Sequence, residues 1–140
     1  MSYENHWIYQ GQKFDSETIE DNFGFVYCVT NKTSGMKYIG KKFFWAMKTK
    51  QVKGKKKKIK AESDWKTYYG SNEEVKELVK TLGSANFERE ILHLCLSKGS
   101  CNYMEMKEQI LRDVLLKPDE YHNAFVGGKI HRNHVKNLFG

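Results

Sequence analysis

No apolar run in this 140-residue sequence approaches the length of a membrane span, which argues against a helical membrane protein. The first ten residues, MSYENHWIYQ, lack the basic start and apolar stretch of a secretory signal, so the expected location is the cytoplasm. Cysteine is scarce and unpatterned. Cys28, Cys95 and Cys101 are odd in number and have no Cys-x-x-Cys spacing, which points away from a disulfide framework or a zinc site and toward buried reduced thiols. Acid is missing from one long stretch: positions 41 to 61 hold ten lysines and no Asp or Glu. The 14 basic residues elsewhere face 17 acidic ones, so the formal charge of +7 belongs wholly to that segment and points to a polyanionic partner. The 39% hydrophobic fraction is that of a globular chain, and the length allows one domain and one site.

Residues 1–22 carry Trp7, Ile8 and Tyr9 without a clear period and read as an N-terminal extension packed through those aromatics. GFVYCVT at 24–30 and MKYIG at 36–40 flank the turn-like NKTSG and read as a β-hairpin. Residues 41–62 open on Phe43, Phe44 and Trp45 and run into VKGKKKKIK, the composition of a basic, partly ordered loop. In SNEEVKELVKTLG, Val75, Leu78, Val79 and Leu82 fall on one helix face, with Ser71 and Glu74 as a capping box and Gly83 as the stop. NFEREILHLCL reads as a strand through Phe87 and Ile91. A second helix is expected from about residue 102, with Tyr103, Met106, Ile110 and Val114 as its buried stripe and Pro118 as its end. Hairpin, basic loop, helix, strand, helix and basic tail in that order imply an α/β (α+β) fold, a small sheet with helices against it.

Tyr27 and Tyr38 stand 11 residues apart. A four-residue loop at 31–34 would set them directly opposite, with Cβ atoms about 4.5–5.5 Å apart, so that both hydroxyls reach one phosphate. Taken alone, this is an ordinary cross-strand aromatic pair. The wider pattern is more informative: Gly24-Phe25-Val26-Tyr27, then Tyr38-Ile39-Gly40, a helical Glu and a late Asn. Together these resemble the GIY-YIG endonuclease family, and most of all its short phage-encoded, homing-type members. The first motif carries one extra residue between Gly and Tyr, whereas YIG is intact. Gly83, Phe87 and Ile91-Leu92 resemble the family's second helix and third strand, so the likeness covers residues 23–125, with a basic insertion at about 41–62 and a basic tail at 126–140.

The resemblance implies a small central antiparallel three-stranded sheet flanked by helices, and hydrolysis of DNA phosphodiester bonds with Mg2+ or Mn2+. Tyr27 would deprotonate the attacking water and Tyr38 would support it. A free tyrosine titrates near pH 10, so this base needs cations beside it. Lys41 and Lys42 are adjacent, and strand alternation from Tyr38 selects Lys42. Glu105 would hold the metal, a hard divalent cation suited to carboxylate oxygen. Glu108 is the fallback, although its spacing also fits a surface pair with Arg112. The family's phosphate-clamping Arg falls at Lys48, which lacks the bidentate fork, so Arg89 or Arg112 would have to substitute. Tyr68 or Tyr69, with Tyr69 preferred, would stand where some members use a histidine, and Asn123 would brace the site.

DNA backbone contact is expected from Lys41 and from Lys53, Lys55, Lys56, Lys57, Lys58 and Lys60, with Arg132 among His131, His134 and Lys136 as a second surface. A chain this short would need a homodimer or two sequential nicks to break both strands, and a phage-encoded member would work in the host cytoplasm. Two other classes compete with the nuclease. A nucleic-acid-binding protein of the same fold, inactive through the change at Lys48, would bind without cutting. A structural protein would use Tyr27 and Tyr38 only as core.

Overall fold

A computed structural model describes residues 3–127 and 129–135. Among these the chain runs β1 (Ile8–Tyr9), β2 (Gln12–Lys13), β3 (Gly24–Asn31), β4 (Lys37–Phe43), β5 (Trp45–Val52), β6 (Lys55–Glu62), α1 (Glu73–Leu82), β7 (Phe87–Cys95), α2 (Lys98–Leu111), β8 (Phe125–Val126) and β9 (Ile130–His131). Among the described residues no helix is long and apolar enough to cross a membrane.

The main sheet is five-stranded, in the order β2-β1-β7-β3-β4, rather than three-stranded. The expected three strands are its antiparallel centre and edge. The two additional strands come from the segment read as an extension, where Ile8 pairs in parallel with Glu90 and Trp7 is fully buried. Trp7 Nε1 donates to the Trp65 carbonyl at 2.7 Å. Strands of two residues leave no readable period, which is why the sequence conceals them.

β3 lies between β7 and β4 and is buried on both faces. Phe25, Tyr27 and Val29 face a cluster with Trp7, Phe44, Trp65 and Phe87, against which α1 packs Leu78 and Val79. Val26 and Cys28 face Ile39, Cys95, Cys101 and Val114 on the side of α2. The β3–β4 hairpin pairs Tyr27 with Gly40 and Val29 with Tyr38, not Tyr27 with Tyr38. The loop is displaced to residues 32–35 because Gly35, at φ +78°, takes the left-handed position and donates to Asn31 O at 2.7 Å. A slip of two residues keeps both tyrosines on one face, as diagonal rather than direct neighbours.

Helix α1 forms where expected, but Asn72 rather than Ser71 caps it, its side chain accepting from Val75 N at 3.0 Å. Helix α2 starts earlier than expected, at Lys98, on a capping box of Ser97 and Ser100. Its buried face is also different. Cys101, Glu105 and Gln109 are buried, whereas Tyr103, Met106 and Ile110 of the expected stripe are 66%, 37% and 55% exposed. The polar side chains turn inward because β4 presents partners for them: Gln109 Nε2 donates to Ile39 O at 3.0 Å, and Glu105 meets Lys41.

The basic segment is not a loop. It forms a second antiparallel ribbon, β5–β6, closed by Lys53 (φ 51°) and Gly54 (φ 77°). Two consecutive positive φ values make the two-residue turn whose twist suits a hairpin. The short pair β8–β9 spans the start of the C-terminal basic tail, and Lys136 lies outside the described residues.

Candidate active site

Three local features fix Tyr27. Strand alternation turns it toward the Trp7 side of the sheet. The β3–β7 register slips there, from Val26 opposite His93 to Tyr27 opposite Ile91, and such bulges re-aim side chains. Its ring is then wedged beside Trp7, Tyr68 and Tyr38, with centroids 5.2, 5.9 and 6.3 Å away. Gly40 is the cross-strand partner, and a Cβ there would stand 2.5 Å from Tyr27 Oη and 2.7 Å from its Cζ. Only glycine lets the phenol lie across β4. Gly40→Ala should therefore displace a buried ring, lowering stability by about 1–3 kcal/mol. In a nuclease of the kind the sequence resembles, it should also slow phosphodiester cleavage roughly 100-fold by shifting the hydroxyl. Plasmid nicking and thermal unfolding together check this, and a fully active variant would refute it.

Tyr38 shares a hydrogen bond of 3.2 Å with Ser71 Oγ, which explains why Ser71 is not the cap of α1. Around the two tyrosines lies a cleft of about 540 Å³ walled by Lys41, Lys42, Tyr68, Lys98, Glu105 and the root of β5 at Trp45 and Met47. Glu105 belongs to the opposite face of the sheet. It enters the same cleft because β4 is the edge strand of the sheet, past which a side chain of α2 reaches the other face. Lys41 Nζ lies 3.2 Å from Glu105 Oε1. Lys42 shares the face of Tyr38, as alternation predicts; its ammonium pairs with Asp64 at 2.5 Å and stands 4.2 Å over the ring of Tyr68.

This environment sets the charge state of the acids. Burial, then the neighbouring Tyr68 and Tyr38 hydroxyls and the Glu105 carboxylate, push the Tyr27 phenol well above its ordinary range. Tyr38 is raised by burial, partly offset by its bond to Ser71. The hydrogen bond from Lys42 holds Asp64 below the usual carboxylate range. At neutral pH both tyrosines therefore keep their protons.

Asn123 is buried behind the cleft, where it replaces a missing sheet neighbour. Its Oδ1 accepts from Ile39 N at 3.0 Å and its Nδ2 donates to Ile39 O at 2.7 Å. Arg132, expected to contact DNA, is turned inward onto this loop, donating to Leu115 O at 3.0 Å and Asn123 O at 2.7 Å. Asn123→Ala would strand the Ile39 amide and should cost about 2–3 kcal/mol. Thermal unfolding should show a Tm roughly 6–12 °C lower; a shift of a degree or two would contradict the bracing role.

Several expected residues lie elsewhere. Lys48 stands in the exposed strand β5, opposite Ile59, because the segment forms a ribbon rather than a loop. Tyr69 points away from the cleft, accepting from Asn5 Nδ2 at 3.0 Å with the Arg89 guanidinium 4.2 Å over its ring, so Tyr68 is the one that lines the cleft. Arg89 is buried and donates to backbone carbonyls of Asn5 and Tyr68. Arg112 pairs with Glu108 at 3.2 Å, the surface arrangement its spacing suggested. Neither arginine walls the cleft. Lys98, at the first position of α2, does, and sequence reasoning missed it; the Ser97–Ser100 box was the available signal.

The family model described as "Putative endonuclease segE, GIY-YIG domain" matches residues 7–130. The chain belongs to the GIY-YIG endonuclease family. It is accordingly an enzyme of the nuclease class, of a phage type. Nothing among curated proteins or solved structures matches it. The match begins at Trp7, within the segment that supplies β1, β2 and the buried indole. In this GIY-YIG nuclease the two motif segments are adjacent strands, and their glycines serve packing: Gly40 seats Tyr27, while a Cβ on Gly24 would meet Lys42 O at 2.8 Å.

Proposed function

We propose that this nuclease hydrolyses DNA phosphodiester bonds in the Tyr27–Glu105 cleft with the help of Mg2+ or Mn2+. The observation that carries the reading is the convergence of Tyr27, Tyr38, Lys41, Lys42 and Glu105 on one cleft, although they come from opposite faces of the sheet. Among the described residues no group of three or more His, Cys, Asp or Glu could hold a metal ion. A lone carboxylate at the cleft wall fits Mg2+ or Mn2+, which keep several waters and take the rest of their ligands from substrate phosphate. Such an ion supplies polarisation of the phosphate and charge for the departing oxygen.

The chain's own groups divide the remaining work. Glu105, held by Lys41, is the ligand, and Lys41 is the counter-charge that an arriving cation displaces. Lys42 and Lys98 take the phosphate oxygens in place of the family's arginine. Tyr27 Oη orients the attacking water opposite the leaving oxygen and, in its phenolate form, accepts the water's proton to become the neutral phenol, while Tyr38, fixed by Ser71, holds the ring in place. Asn123 keeps β4 at its distance from α2. The test is incubation of the purified protein with supercoiled plasmid and mixed genomic DNA, with and without Mg2+. Cleavage is expected only with the cation; binding without cleavage of either DNA would overturn the reading.

A further inference from the structure

The β5–β6 ribbon stands apart from the core. Residues 47–51 and 55–60 are exposed, so the ribbon has no buried face beyond its root. The root itself is fixed: Phe44 is fully buried, Lys60 lies 4.4 Å over Trp45, and Glu62 accepts from Ser16 Oγ at 2.7 Å and Trp65 Nε1 at 2.8 Å. The register distributes lysine on both faces. Lys48, Lys50, Lys55 and Lys57 share one face, Lys56, Lys58 and Lys60 the other, and Lys53 is at the tip. Lys50 and Lys57 are directly opposite, an arrangement that repels. A two-stranded ribbon is marginal in water even without such repulsion. A partner that brings negative charge to both faces at once would stabilise this distribution.

We propose that the ribbon enters the major groove of duplex DNA on edge, one lysine face toward each phosphate strand, and so places the backbone at the adjoining cleft. The dimensions agree. Eight residues per strand extend about 24 Å, and a sheet with side chains on both faces is about 10 Å thick. The major groove, about 12 Å wide, admits that thickness, whereas the minor groove, about 6 Å wide, does not. A ribbon lying flat on the groove floor or on one backbone would use a single face. The ribbon joins the cleft directly, since Trp45 and Met47 of β5 form part of its wall. The proposal rests on DNA being the substrate, and its test is binding rather than cleavage.

The experiment uses Glu105→Gln in the full chain without divalent cation, so that hydrolysis plays no part. Affinity for a blunt duplex is measured against salt in this background and in two further variants, K48Q/K50Q/K55Q/K57Q and K56Q/K58Q/K60Q. Each face should reduce the slope of log affinity against log salt, by roughly 3–4 and roughly 2–3 respectively. Methyl green, a major-groove ligand, should compete, and netropsin, a minor-groove ligand, should not. A change confined to one face, or competition by netropsin alone, would overturn the proposal while leaving DNA as substrate. Absence of duplex binding in the Glu105→Gln background would overturn both.

Discussion

Glu105→Gln should lower single-turnover plasmid cleavage roughly 1000-fold or more, the several kcal/mol that a cation contributes to a phosphoryl transition state. The amide keeps the shape of the side chain, which matters because Glu105 is buried against β4 and 3.2 Å from Lys41. It removes the charge that would hold a hard cation, and it frees the Lys41 ammonium. Duplex binding should therefore hold or tighten while the chemical step fails. Raising Mg2+ should recover little activity, because the amide oxygen carries no charge. A variant that cuts within tenfold of wild type would show that Glu105 is only the partner of Lys41.

Tyr27→Phe should slow cleavage by roughly 100- to 10 000-fold, the range for loss of a positioned general base. Its effect on folding should be small. The ring, packed on Trp7 and Tyr68, is retained, and the hydroxyl is not needed to fill space. The pH dependence separates two roles for this group. Burial and the nearby Glu105 charge hold the phenol well above its ordinary pKa, so the active phenolate is the minor form throughout the neutral range. Below a pKa the deprotonated fraction rises tenfold per pH unit, so the wild-type rate should climb from pH 6 to 9 without a plateau. A flat profile with the same loss in Tyr27→Phe would mean that the neutral hydroxyl orients water without taking its proton.

Glu105 and Tyr27 also show what the sequence made legible. α1 and β7 follow from periodicity, because each has one face in the core and one in water: Val75 and Leu78 in the helix, Phe87 and Ile91 in the strand. α2 defeats the same rule. Its inward stripe is Cys101, Glu105 and Gln109, so a reading that buries the apolar face turns the helix the wrong way. The local rule fails here because buried polar side chains find partners on β4. The family pattern, not amphipathicity, singled out Glu105, which lines the cleft. The ribbon escaped notice because lysine is poor in strands and occupies both of its faces; Lys53-Gly54 was the turn signal available. Lys48 illustrates the cost of counting along the chain. Eight residues beyond YIG lies a ribbon strand, and Lys98, distant in sequence, walls the cleft instead. Asn123 was legible only as a late Asn, but its two bonds to Ile39 give the physical reason for an amide there: it offers a donor and an acceptor to one exposed strand edge.

The central claim is that a tyrosine from one face of the sheet and a glutamate from the other form a single catalytic unit at the β4 edge. Single-turnover cleavage by wild type, Tyr27→Phe, Glu105→Gln and the double variant measures this directly. Groups that act as a unit are strongly non-additive. The double variant should cut no more than a few-fold slower than the slower single variant. Losses that multiply, driving the double variant below detection while both singles remain measurable, would show two independent contributions and contradict the shared site.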